Sequence, residues 1–128
     1  MLSKHRQGPD AERALADATL NDLSSVSRLD LAYRAIMQAA LAAMLANGYR
    51  PATSEPGHHQ LLIQALPKTA GIAAERMRVL DAYRAARNLS DYHGVPVSDA
   101  VAQECAADAR SVLVAVRAWI AAHRADLV

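Results

Sequence analysis

Between Ser24 and Asn47, apolar residues recur at the three- and four-residue spacing of a helix. Leu29, Tyr33, Ile36, Ala40, Ala43 and Met44 form one stripe, and Leu41 and Leu45 widen it until the helix reads as enclosed by its neighbours. Ser24, Ser25 and Ser27 offer caps, Ser27 with Asp30 resembles a capping box with the shorter acid, and Gly48 stands where a helix ends. The cleanest stripe is the last one. It carries Val101, Cys105, Ala109, Val112, Val116, Trp119, Ile120 and His123, opened by Ser98. A further long helix is predicted from Gly71 to about Tyr92, with Ile72, Arg76, Leu80, Tyr83 and Arg87 along one side.

The rest of the chain is less regular. Pro9 and Asp10 open a first helix reaching about Leu23, with few apolar positions (Leu15, Leu20, Leu23). Tyr49 to Gly57 reads as a loop, followed by a short helix around His58 to Leu66 that Pro67 ends or bends. Residues 1–8 are polar and read as a frayed segment, and 9–128 as one domain. The fold expected is all-α, an antiparallel four- to five-helix bundle, with the helices Gly71–Tyr92 and Ser98 onward at its centre.

Composition sharpens this picture in three ways. Alanine is abundant, Phe is absent, and Gly and Pro number five each in 128 residues, which favours helix and leaves core packing to aliphatic side chains. The formal charge of +1 supplies no field to gather a polyanion, so nucleic-acid binding would need the local cluster Arg76, Arg78, Arg84 and Arg87. Arginines so placed more often form a solvated face. The single Cys105 excludes an internal disulfide, and its place on the last stripe marks it as a buried thiol.

Lys4, His5 and Arg6 are followed by no apolar run, and the longest apolar stretch, Ala39 to Ala46, is short of a membrane span. A cytoplasmic protein outside the membrane is therefore expected. Adjacent His58 and His59 diverge by about 100° on a helix, which suits surface or loop histidines better than a shared metal. Gly-rich phosphate loops and hydrolase elbows do not occur in the chain, and no metal or cofactor is expected.

The densest set of polar, reactive side chains lies from Tyr83 to Gly94. Cleaving an RNA phosphodiester without metal needs an acid or base near neutrality and positive charge on the phosphate. His93 and Arg87 are those types, and Asn88 would hold either in register. Tyr83, Arg84, Asp91 and Tyr92 flank them as binding candidates. The same residues also fit a plain helix end: Arg87 and Asp91 at i, i+4 form an ion pair, His93 suits the helix dipole, Gly94 the left-handed cap, and Pro96 the stop.

The order of these pieces resembles the HEPN domain, the higher-eukaryote and prokaryote nucleotide-binding helical bundle. The pieces are the Ala-rich helix Tyr33–Asn47, Gly48-Tyr49-Arg50-Pro51, Gly57-His58-His59-Gln60-Leu61-Leu62, Arg87-Asn88, Asp91-Tyr92-His93-Gly94 and Val97-Ser98 before a long last helix. The resemblance covers about Ser24 to His123 and is nearest to small stand-alone bacterial members. It implies a homodimer with paired motifs in a shared cleft, and a metal-independent endoribonuclease of toxin type. Arg87 would then stabilise the phosphate, Asn88 would be the polar neighbour, and His93 the acid/base. It equally implies the alternative of a non-catalytic nucleotide- or RNA-binding module, or an interaction module paired with a nucleotidyltransferase or antitoxin. Here His93 comes one residue later than the family's commonest spacing.

Overall fold

The computed structural model describes residues 11–17, 23–50 and 57–124, and among them every regular element is a helix. In chain order these are α1 (residues 11–17), α2 (Ser25–Ala46), α3 (His58–Gln64), α4 (Leu66–Ala70), α5 (Ala74–His93) and α6 (Asp99–His123). Leu20, the segment 1–8 and most of the loop before Gly57 lie outside the described residues.

The expected all-α bundle is present, with one more short helix than the pattern suggested. Pro67 does not merely end a helix. It occupies the first turn of α4, where its missing N–H needs no partner, and the chain turns at Ala65. Gly71 then closes α4 in the left-handed region (φ 66°), so α5 begins at Ala74 rather than at Gly71. At the start of α2 the capping hydroxyl belongs to Ser24, which accepts from the Ser27 N–H at 3.1 Å, so Ser27 is inside the helix and no capping box forms with Asp30. Ser98 caps α6 as expected, accepting from the Val101 N–H at 3.1 Å.

The centre of the bundle is α2, which lies along α6 and also touches α3, α4 and α5. This corrects the expectation that the Gly71–Tyr92 helix would be central: α5 buries only Leu80 and Tyr83. The physical reason is the width of the apolar arc. Arginines interrupt the α5 stripe and must reach water, whereas α2 buries Leu29, Tyr33 and Ile36 together with alanines at 32, 39, 40 and 43. Those small residues let α6 approach closely with its own Ala102, Cys105, Ala106 and Ala109. Ile36, Leu29, Ile63, Leu66, Leu80 and Val112 complete the dry interior.

Polar ties fix how the helices sit. Arg28, almost wholly buried on α2, reaches Asp99 at the start of α6 with 2.8 Å between charges. Asn47 donates to the carbonyls of Ala43 (2.7 Å) and Thr69 (3.0 Å), joining the end of α2 to α4. Tyr83 donates to Asp108 at 2.5 Å and clips α5 to α6. Cys105 lies fully buried nearby, and burial followed by the Asp108 charge pushes its thiol up to about 12, which keeps it protonated and unreactive. Among the described helices α2 alone is long and apolar enough to cross a membrane, yet half of that stretch is buried inside the bundle, as a core helix would be.

Candidate functional site

One side of α2 carries Asp30, Tyr33, Arg34, Met37, Gln38 and Leu41, residues that a 3.6-residue period brings into line. Against this line α3 places His58, His59 and Leu62, and α5 contributes Arg87. Together they wall a half-open cavity of about 260 Å³. Its character changes along α2. Asp30, Tyr33, Arg34, His59 and Arg87 make one end polar, and Met37, Leu41 and Leu62 make the other apolar.

Arg87 is held rather than loose. Its Nε lies 3.1 Å from Asp30 across the bundle and 3.3 Å from Asp91 one turn on, and its guanidinium carbon is 5.3 Å from the centroid of the Tyr33 ring. These contacts use the Nε side. Among the described residues no protein acceptor engages the Nη nitrogens, so the outer edge of the guanidinium fork remains available to an anion.

The histidines complete the polar end. Tyr33 Oη is 3.1 Å from His59 Nδ1, and the His58 and His59 rings meet edge to face with centroids 4.4 Å apart. Burial raises Tyr33 to about 12 although Arg87 and Arg84 pull the other way, so the phenol keeps its proton; it donates to Nδ1 in one His59 tautomer and accepts from it in the other. With the phenol donating, the His59 proton sits on Nε2. Burial first, then His58, Arg87 and Arg84, lower the His59 pKa from its ordinary 6.5. The sequence placed His59 at the surface. It is instead a half-buried wall of the pocket, because the short helix α3 leans against α2 and α5.

A stability prediction follows from that shift. Well above pH 6.5 His59 is neutral in both folded and unfolded chains and contributes nothing. As the pH falls below 6.5 the unfolded chain binds a proton more readily than the folded one, so stability declines until the lowered folded pKa is passed. Melting temperatures measured at neutral pH and near pH 5.5 are expected to show this decline, and His59→Gln is expected to remove the His59 share of it.

Of the residues singled out in the sequence, Arg87 and Asp91 are brought together as an ion pair at the pocket's edge. His93 is not with them. Six residues beyond Arg87, it lies about 9 Å along the axis and about 120° around it. It is exposed at the last position of α5, outside the pocket, with no hydrogen bond or ion pair among the described residues. Asn88 is half-buried and outside the lining. Arg84 pairs with Asp81 at 2.8 Å, and Tyr83 faces α6 through Asp108. Tyr92 is 80 % exposed. Asp30, Tyr33, Arg34, Gln38, His58 and His59 were missed as site residues. The available signal was a run of polar side chains on the edge of the α2 stripe, which a moderately solvated helix shows equally well.

The arrangement defines an all-α helical bundle with a pocket, polar at one end and apolar at the other, between three helices. A scan of known protein families finds none that matches the chain, and a search of curated proteins finds no significant relative.

Proposed function

We propose that the protein is a HEPN-like bundle whose pocket between α2, α3 and α5 binds the phosphate group of a nucleotide or of RNA. The observation that carries this reading is Arg87, fixed by two carboxylates and an aromatic face, with its Nη edge turned to no protein acceptor. Arg34 adds a second cation to the lining, and His58 and His59 add ring nitrogens. The apolar end supplies surface for a base or ribose. Asp30 and Asp91 offset part of the Arg87 charge while positioning it, so modest affinity and good orientation are expected.

Binding is better supported than cleavage by an Arg87–Asn88–His93 set within one chain, since His93 stands outside the pocket. A ribonuclease of the expected toxin type would need His93 delivered by a second copy, or another acid/base inside the pocket. Titration of the protein with AMP and with a short single-stranded RNA, followed by gel analysis of the RNA without added metal, tests both arms. The binding reading expects association with either ligand and loss on Arg87→Ala. Association with neither ligand would sink it, and cleavage abolished by His93→Ala would favour the enzyme.

Self-association is a second reading with its own observation. Val79, Leu89 and Tyr92 stand exposed on α5, with Ala82 and Ala86 between them at the same helical spacing. A second copy, antiparallel across these small residues, would bring Arg78 of each chain towards Asp91 of the other. The same face suits a nucleotidyltransferase or antitoxin partner. Light scattering at about 10 μM is expected to give a dimer mass, and a monomer mass would overturn this reading.

A further inference from the structure

The phosphate-binding reading gives the two pocket histidines ring nitrogens to offer but no proton chemistry, and the geometry of His59 points to one. His59 has one nitrogen engaged, Nδ1, by the Tyr33 hydroxyl, and its other nitrogen belongs to a ring that lines the cavity. The charged and titratable groups around it are Asp30, Tyr33 and Arg34 from α2, His58 from its own helix, and from α5 Arg84 and Arg87 with their partners Asp81 and Asp91. Each of these guanidiniums is already paired with a carboxylate, yet Arg87, Arg84 and His58 still oppose a further positive charge at His59, and an anion placed among them favours it.

We propose that His59 is a ligand-contacting acid–base residue of this pocket, and that the pocket takes up a proton on His59 together with a tetrahedral oxyanion, the phosphate of its ligand. This rests on the phosphate-binding reading. The proton has a defined destination. In the tautomer with hydrogen on Nε2, it adds to Nδ1, which changes from acceptor to donor. Tyr33, whose hydroxyl donated to that nitrogen, becomes the acceptor, and its own O–H turns to a new partner, for which the ligand's oxygen is the candidate. One proton from solvent thus adds a charge at His59 and releases a donor at Tyr33. Nothing is oxidised or reduced and no covalent bond in the ligand changes.

Burial of His59 beside Arg87, Arg84 and His58 supports this, because it keeps the ring neutral near pH 7 until an anion arrives. The coupling is reciprocal. If the anion favours the protonated ring, protonation favours the anion by the same factor. The group distinguishes a ligand rich in negative charge from a neutral one, and a phosphate monoester, with its second charge, pulls the proton harder than a diester.

Inorganic sulfate is the decisive probe because it does not titrate in the range used; AMP and a 5′-phosphorylated short RNA then separate a free nucleotide from an RNA end. Binding followed by NMR is expected to tighten about tenfold for sulfate from about pH 8 to about pH 6. The His59 ring resonances are expected to show a higher pKa with sulfate than without. His59→Gln, a change at a half-buried position, is expected to flatten the pH profile. Sulfate binding with no pH dependence, a profile retained in His59→Gln, or titration of His58 with His59 unmoved would each overturn the proposal and leave phosphate binding standing. Failure of sulfate, AMP and the RNA to bind at any pH would overturn both.

Discussion

Ile36→Ala is expected to destabilise the protein by about 3 kcal/mol, a large fraction of the total stability of a domain this size. Ile36 is wholly buried at the middle of α2, the helix that α3, α4, α5 and α6 all touch. Removing its outer carbons forfeits transfer free energy and opens a cavity. The surroundings can close that cavity only in part, because many of the neighbouring positions on α2 and α6 are alanines with no longer side chain to swing in. Val114→Ala on α6, at a position 67 % exposed, is the matched control and is expected to change stability by less than about 0.5 kcal/mol. Urea unfolding of the two variants gives the difference directly. Equal midpoints would mean that α2 is not the centre of the fold.

Arg87→Ala is expected to weaken binding of AMP or RNA by about 30- to 100-fold or more, the scale of a charge-assisted two-pronged hydrogen bond. Two effects act together. The substitution deletes the fork whose Nη edge faces no protein acceptor, and it leaves Asp30, a carboxylate lining the same cavity, without its nearest cation. Asp30 then keeps only Arg34, at 3.9 Å, and repels an anion in the cavity more than before. Stability should change much less, since the Asp30 and Asp91 side chains are 38 % and 41 % exposed and can hydrate. Arg87→Lys separates charge from shape: a point charge restores part of the field but not the fork, so an intermediate loss is expected. Calorimetric titration of the three proteins tests this. Unchanged affinity in Arg87→Ala would remove the residue from the site.

Much of the fold was legible because helices announce themselves locally. The α2 and α6 stripes, the Ser98 cap, and the glycines at 48 and 94 that take positive φ all follow from rules that act within a turn or two of chain. Arg87 and Asp91 pair as their spacing implied. The turn at Ala65 was misread, since Pro67 both stops one helix and starts another, and the pattern before it does not say which use prevails. The candidate site was legible only in part. Arg87 stood out by its chemistry, whereas His59 looked like half of a surface pair and Tyr33 like a core residue.

From its own order of residues the chain determines that it is helical, roughly where each long helix begins and ends, and which stripe each one buries. These depend on hydrogen bonds and caps between residues close in sequence. Which helix lies in the middle, and which polar side chains meet, were decided only by tertiary packing. Asp30 and Arg87 are 57 residues apart, Tyr33 and His59 are 26 apart, and His93, six residues from Arg87, faces elsewhere. Helical periodicity assigns each side chain a direction about its own axis. Only the packing of α3 and α5 against α2 turns those directions into a pocket.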